Sequence, residues 1–284
     1  MKKVTNDRYH ESLNQVVDYI QLHISENIDL KTLAEVAHIS EYHFHRIFKA
    51  YIGESLGAYL HRIRLESAAS KLRITDQSLT EIAEKVGYNN QQALSKAFKK
   101  HFGITPSAFR NLESYFDSKR KPRKDRLGLH PEIRYEEDKL LAYIRIISKY
   151  GSHKAYDEAW ERLGKFVSEH RLFNGQTEAI GLSFDDPNIT QNEKCRFYAC
   201  YSIEAPVEGD GEIGTLTLKG GQFAVFTLRG SYSQLGQMYD DIYYGWLQES
   251  EVRLRNRMSY EKYLNDPSEV NKEDILTEIY IPIK

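Results

Sequence analysis

Leu30-Lys31-Thr32-Leu33-Ala34-Glu35-Val36-Ala37, a short turn, and Ser40-Glu41-Tyr42-His43-Phe44-His45-Arg46-Ile47-Phe48-Lys49 form the stretch whose reading decides the fold, because the chain carries it twice. The second copy runs Leu79-Thr80-Glu81-Ile82-Ala83-Glu84-Lys85-Val86, then Gly87-Tyr88-Asn89, then Asn90-Gln91-Gln92-Ala93-Leu94-Ser95-Lys96-Ala97-Phe98-Lys99. Apart from one extra residue in the second turn, the copies align position by position. Each has the pattern of two short helices around a tight turn, and a duplicated unit of that kind points to sequence-specific DNA binding.

The physics of each unit is legible in its residues. Ser40 and Asn90 stand where a short polar side chain can satisfy a free backbone N–H at a helix start. Behind them Phe44, Ile47, Phe48 and Tyr51 recur at helical spacing, as do Leu94, Ala97, Phe98 and His101, and these faces are expected to pack inward. Ala34 and Ala83 allow the preceding helices to approach. The opposite faces carry Tyr42, His45, Arg46 and Lys49 in the first unit and Gln91, Gln92, Ser95, Lys96 and Lys99 in the second. Arg suits the guanine edge, Gln suits adenine, and Lys suits phosphate or guanine, so faces rich in donors and poor in carboxylates fit a major groove.

Between the units, Ser55 to Leu72 places Leu56, Tyr59, Leu60, Ile63, Leu65, Ala68, Ala69 and Leu72 at helical intervals and has no proline, which predicts one helix. At about 1.5 Å per residue it spans roughly 27 Å. A connector of that length can set two recognition helices into successive major-groove segments about 34 Å apart. Arg62 and Arg64 on it are expected to meet phosphates or acidic partners; the sequence leaves the two open.

Charge divides the 284 residues in two. Residues 1–127 hold 21 Lys/Arg against 15 Asp/Glu, a formal +6, and residues 128–284 hold 18 against 26, a formal −8. The basic half is suited to phosphates and the acidic half is not. Between them Lys119-Arg120-Lys121-Pro122-Arg123-Lys124 is charged, broken by proline and without apolar periodicity, the composition of a linker. The expected organisation is a helical domain over 1–112, a basic linker over 113–127 and a second domain over 128–284.

Residues 9–112 resemble the DNA-binding domain of the AraC/XylS transcription regulators. The resemblance rests on Arg62-Ile63-Arg64-Leu65, on Ile82-Ala83 with Val86-Gly87-Tyr88, and on the tail Phe98-Lys99-Lys100-His101-Phe102-Gly103-Ile104-Thr105-Pro106-Ser107-Ala108-Phe109-Arg110. It implies base contacts from Tyr42, His45 and Arg46 in the first recognition helix and from Gln91, Gln92, Ser95 and Lys96 in the second. Double-stranded DNA is the partner so implied, with recruitment of RNA polymerase a further one.

The second half repeats as well. Leu141-Ala142-Tyr143-Ile144-Arg145-Ile146 reads as a strand, followed by a helix through Trp160, Leu163 and Phe166 and by the strands Ile180–Phe184 and Arg196–Ile203. The order recurs with Phe223–Leu228, a helix through Tyr239, Ile242 and Leu247, and the strands Tyr260–Leu264 and Thr277–Ile283. Two strand-helix-strand-strand copies predict an α+β domain with a pseudo-two-fold and a groove between its halves. The fold class expected of the whole chain is an all-α N-terminal domain, two helix-turn-helix units joined by a long helix, plus this α+β domain.

Residues 129–284 resemble the GyrI-like small-molecule-binding domain through Gly214, Gly220-Gly221-Gln222-Phe223-Ala224-Val225-Phe226, Gly230-Ser231-Tyr232, Tyr243-Tyr244-Gly245-Trp246-Leu247-Gln248-Glu249-Ser250 and the final strand. Joined to an AraC-type domain, such a domain implies a ligand-responsive activator whose groove takes amphiphilic, often cationic, organic molecules on a glutamate and aromatic rings. Carried over, these are Glu278 with Trp246, Tyr243 and Tyr232. The chemistry is sound, since a carboxylate among aromatic rings neutralises and stacks on a hydrophobic cation. The first-repeat position that is acidic in many relatives is Tyr198 here, so a groove with one carboxylate is expected to favour singly charged or partly neutral ligands.

Other chemistries find little in the sequence. Cys195 and Cys200, five apart in an expected strand, fall on opposite faces, which argues against a disulfide or a shared metal. His43 and His45 point about 200° apart on a helix and cannot clamp one ion. No Ser-His-Asp order or phosphate-cradling glycine loop appears, no cofactor is implied, and the chain is expected not to be an enzyme. A small hydrolase using the groove glutamate as general base, and a protein-docking module, are the alternatives for the C-terminal half. The polar start Met1-Lys2-Lys3 predicts no signal peptide, no apolar run reaches membrane-span length, and a cytoplasmic location is expected.

Overall fold

Two glycines 50 positions apart end two helices of equal length, and the duplication read from the sequence is visible in them. In the computed structural model, which describes residues 2–111 and 129–284 apart from 152, 188, 208–210 and 256, helix α3 (Glu41–Ile52) stops at Gly53 with φ 83° and helix α6 (Gln91–Phe102) stops at Gly103 with φ 78°. Glycine adopts this left-handed conformation without the steric penalty of a Cβ. The chain divides into two compact units, one helical and one built on a sheet. The basic linker expected over 113–127 lies outside the described residues.

In the helical unit α2 (Leu30–Val36) pairs with α3, and α5 (Leu79–Lys85) pairs with α6. The starts of these helices are held differently. Asp29 caps α2 by accepting from Thr32 N at 2.7 Å, and Ser78 and Glu81 form a reciprocal capping box on α5. Asn90 accepts from Ala93 N at 2.8 Å at the start of α6. Ser40 occupies the cap of α3, but its side chain makes no capping bond, contrary to the sequence expectation. The start of α3 is exposed, and water can serve its free N–H groups there.

The connector is the single helix expected: α4 (Leu56–Ile74) begins at Ser55, whose hydroxyl accepts from Ala58 N. It runs through the helical unit, between the two helix-turn-helix pairs, with Tyr59, Ile63, Leu65, Ala68, Ala69 and Leu72 buried. Its arginines meet protein. Arg62 is buried and donates to Glu54 and to Glu66 at 2.9 Å, while Arg64 donates to the carbonyls of Ile24 and Glu26. The N-terminal helix α1 (Lys2–Leu22), unread from the sequence, supplies Leu13, Val16, Val17 and Ile20 to the first unit's core. His101, expected to pack inward, is exposed; its ring lies edge-on to Phe102 and to His61. Cys195 precedes its strand rather than lying within it, and both cysteines are buried thiols.

The second unit is one eight-stranded antiparallel sheet. Its strands are β1 (Glu132–Glu136), β2 (Lys139–Ile147), β3 (Ala179–Ser183), β4 (Arg196–Ile203), β5 (Ile213–Leu218), β6 (Gly221–Arg229), β7 (Tyr260–Tyr263) and β8 (Leu276–Pro282), in the order β1-β6-β8-β7-β3-β4-β2-β5. Helix α7 (His153–Glu169) crosses from β2 to β3. The matching crossover from β6 to β7 is α8 (Leu235–Asp241), a π-helical turn over Ile242–Trp246, and α9 (Leu247–Glu249). The strand-helix-strand-strand copies are as expected, and the edge strands β1 and β5 add to them.

Connectivity makes the sheet curl. Flat, β1 and β2 would lie six strand spacings apart, about 29 Å at about 4.8 Å each, yet two residues join them, a reach of about 11 Å. Residues 219 and 220 join β5 to β6 in the same way, and Asp138 stitches the two connections by accepting from Lys219 Nζ and Gly220 N. The inner face holds one cluster drawn from seven strands, with Tyr143, Tyr198, Phe223, Tyr260 and Tyr280 at its centre. The outer face packs against α7 on one side and against the α8–α9 segment on the other. Among the described residues no helix is long and apolar enough to cross a membrane.

Candidate functional site

Spacing along α3 places Tyr42, His45, Arg46 and Lys49 at i, i+3, i+4 and i+7, one face of the helix. All four are exposed, while Phe44 and Phe48 behind them are fully buried. The guanidinium of Arg46 lies 5.4 Å from the centre of the Tyr42 ring. On α6, Gln91, Gln92 and Lys96 are exposed and Ser95 is half-buried, over buried Leu94 and Phe98. Thr80 on α5 donates its hydroxyl to Gln91 Oε1 at 3.2 Å. Each unit thus presents the helix face read from the sequence, on a core that fixes its direction.

The four residues expected to hold a ligand do not converge. Strand alternation sends Ile279 and Ile281 to the outer face, so Glu278 and Tyr280 point into the curled sheet. There Glu278 is buried, pairs with Arg134 at 2.8 Å and accepts from the Tyr280 hydroxyl at 2.8 Å. Trp246 packs edge-on against Phe226 on the outer face, where Tyr243 also lies. β8 lies inside the sheet, between β6 and β7, so Glu278 is neither on an edge nor in contact with the helix-side aromatics.

A different glutamate stands among those aromatics. Glu261, in β7, points to the outer face and is buried. Tyr239 of α8 donates to its Oε1 at 3.1 Å and Tyr263 donates to its Oε2 at 2.7 Å. Burial pushes its carboxyl above the usual glutamate range, and the two tyrosine bonds oppose this in part. The phenols of Tyr156, Tyr239 and Tyr263 are in turn raised by burial first and by this carboxylate second. Tyr232 is pushed up to about 12 by burial, Asp266 and Glu261. Tyr263 stands edge-on to Tyr232 at 5.4 Å and to Trp160 at 5.7 Å, and Trp160 continues to Tyr201 at 5.4 Å. Tyr243 stacks parallel to Tyr239 at 6.3 Å.

The position of Glu261 follows from the duplication. Asp186-Pro187 and Asp266-Pro267 are 80 apart, the offset that relates the two copies. Gly181 lies 80 before Glu261, and the two are paired across β3 and β7, where the halves meet. A Cβ on Gly181 would run into the Tyr263 hydroxyl and come within 2.8 Å of Phe197, so glycine is what lets these rings close over the carboxylate. The sequence held the signal: the offset of 80 places a glutamate and a glycine together at the pseudo-two-fold. A resemblance that pointed to the last strand drew attention to Glu278 instead.

A GyrI-like small molecule binding domain family matches residues 130–284, and a helix-turn-helix domain family matches residues 33–112. The transcriptional regulator Rob of Salmonella typhimurium is 24% identical over 295 residues, covering 96% of this chain and 98% of its own. The probable transcription factor PqrA of Proteus vulgaris is 37% identical over 100 residues, covering 34% of this chain and 82% of its own. The bifunctional transcriptional activator/DNA repair enzyme AdaA of Bacillus subtilis is 34% identical over 112 residues, covering 39% of this chain and 53% of its own.

Proposed function

The chain belongs to the GyrI-like small-molecule-binding family, with an AraC-type helix-turn-helix domain ahead of the sheet domain, and from that premise we propose that it activates transcription in response to a hydrophobic, singly charged organic cation. It is a DNA-binding transcription regulator. Its recognition helices α3 and α6 read bases in two adjacent major-groove segments, with Tyr42, His45, Arg46 and Lys49 on one and Gln91, Gln92, Ser95 and Lys96 on the other. The α4 connector supports this reading, because Arg62 and Arg64 are engaged within the domain and stiffen the link between the two units.

The observation that carries the ligand class is Glu261: a buried carboxylate whose two oxygens are held by tyrosine hydroxyls, within a wall of aromatic rings. Glu278 already has Arg134 as its counter-charge. Glu261 is held by neutral groups, so an incoming cation gains both charge neutralisation and ring faces. We therefore assign the effector site to Glu261 with Tyr156, Trp160, Tyr232, Tyr239 and Tyr263, and give Glu278 a structural role. A sensor of this kind returns its ligand unchanged, which separates it from a hydrolase using the same carboxylate as a base. Activation is the sign of regulation we assign, through contact with RNA polymerase; the likeness to the transcriptional activator AdaA supports the sign.

The test is a thermal-shift and calorimetric titration of the full chain with matched aromatic cations and their neutral isosteres. The cations stabilise the chain, the isosteres do so at least about tenfold more weakly, and Glu261→Gln removes the difference while Glu278→Gln keeps it. Loss of the cation preference in Glu278→Gln alone would return the site to the inner face. Equal response to cations and isosteres would remove the charge argument altogether.

A further inference from the structure

We infer that Thr80 is a positioning residue for base reading by the second helix-turn-helix unit, holding the Gln91 amide in place before DNA arrives. The inference rests on the reading of α6 as a recognition helix and adds to it a residue on the other helix of the unit. Thr80 is the second residue of α5 and Gln91 is the first of α6, and the Thr80 hydroxyl donates to Gln91 Oε1 across the turn at 3.2 Å. Both residues are exposed, so the bond lies on the surface that the two helices share.

Both ends of that bond are anchored. The Ser78–Glu81 capping box fixes the first turn of α5, with Ser78 N donating to Glu81 Oε2 at 2.8 Å and Glu81 N donating back to Ser78 Oγ at 3.3 Å. Asn90 fixes the first turn of α6. The turn between them passes through Gly87 at φ 78°, where a Cβ would come within 2.7 Å of the Ile24 carbonyl and 2.9 Å of the Arg64 guanidinium. The backbone under Thr80 and Gln91 is therefore held at three points, and a hydroxyl-to-amide bond across it has a defined length.

The chemistry explains why placement matters. A glutamine amide reads adenine by accepting from N6 with its oxygen and donating to N7 with its nitrogen, and the two ends are not interchangeable. A free glutamine terminus samples both orientations, because its last torsion is broad and roughly two-fold. The Thr80 hydroxyl, donating to Oε1, tethers the amide beside α5; because a hydroxyl also accepts, the tether fixes where the amide sits rather than which end meets the base. It leaves the second lone pair of that oxygen and both N–H groups of Nε2 for a base edge. Ordering the amide in the free protein lowers the entropy lost on binding, which favours the base pair that this amide bonds over those that it does not. The first unit carries Lys31 and Glu41 at the corresponding places, so this device belongs to the second unit alone.

The experiment uses the full chain and the duplex it selects from a random pool, with affinities measured for all four base pairs at each position of the site. Thr80→Val removes the hydroxyl and keeps the shape. It should reduce the best-to-worst ratio at one base pair by about three- to tenfold, the scale of one hydrogen bond. The other half-site and the slope of affinity against salt stay as they were. Thr80→Ser restores the ratio, Gln91→Ala loses it at the same base pair, and adding Thr80→Val to Gln91→Ala changes nothing further. Uniform weakening on every duplex with a shallower salt slope would make Thr80 a phosphate contact and overturn the inference. An unchanged ratio in Thr80→Val, or a Gln91→Ala chain that discriminates like the parent, would also overturn it. Failure to select any duplex would strike at the DNA reading itself.

Discussion

Gly181 and Glu261 face each other across the middle of the sheet as register partners of β3 and β7, and they are also counterparts in the two copies of the repeat, 80 residues apart. One copy contributes a carboxylate at the pseudo-two-fold and the other contributes the absence of a side chain. Two glutamates there would repel at close range in a buried setting, and two glycines would leave the rings nothing charged to surround. The asymmetry turns a symmetric scaffold into a site with one charge.

Gly181→Ala tests that division of labour. The added methyl collides with Tyr263 and Phe197, whose rings are held by neighbours, so overpacking should cost about 1–3 kcal/mol in a denaturant melt. Tyr263 moves off Glu261 in the process, so the preference for cationic over neutral ligands weakens as well. A variant of parental stability and unaltered preference would show that the rings have room to spare.

The protonation of Glu261 gives a pH dependence with a definite sign. Its carboxyl is raised in the folded chain by burial, so between the ordinary glutamate value and the raised one the folded state binds more protons than the unfolded state. The contribution of this residue to stability is present at low pH and is lost as pH rises through that window. Glu261→Gln should flatten this part of the stability–pH curve and melt higher than the parent at neutral pH. Cation binding runs the other way, strengthening as pH rises and the carboxyl ionises. Parallel curves for parent and variant would mean that the carboxyl ionises as it does in water.

Arg62 supports the connector between the DNA-reading units through buried bonds to Glu54 and Glu66. Arg62→Ala removes the guanidinium that both carboxylates share and should cost about 3–5 kcal/mol. Replacing Arg62, Glu54 and Glu66 together with Met, Gln and Leu should recover most of that loss. The readout is the denaturant midpoint of each variant, and a triple variant no better than Arg62→Ala would argue against the lost ion pairing as the cause.

On the DNA side, Arg46→Ala should cost about 1–3 kcal/mol and relax base preference in one half-site, and Gln92→Ala should do so in the other. Competition binding on duplexes altered in one half-site at a time separates them. Equal losses on all duplexes from both variants would mean that these side chains touch backbone rather than bases.

Local pattern carried a great deal of this protein. The duplicated helix-turn-helix units, the α4 connector, the exposed recognition faces and the strand-helix-strand-strand repeat follow from spacing, because helical and strand periodicities are properties of neighbouring residues. What could not be read locally depends on which strands become neighbours. β1 and β5 pair with strands of the opposite copy, and that exchange, through two two-residue connections, is what curls the sheet and separates an inner face from an outer one. In one dimension Glu261 and Glu278 are both glutamates two positions before a tyrosine, in strands near the C-terminus. Only the curled sheet turns Glu278 inward onto Arg134 and brings Glu261 outward among the tyrosines, because the fate of a charge is set by what the rest of the chain packs beside it.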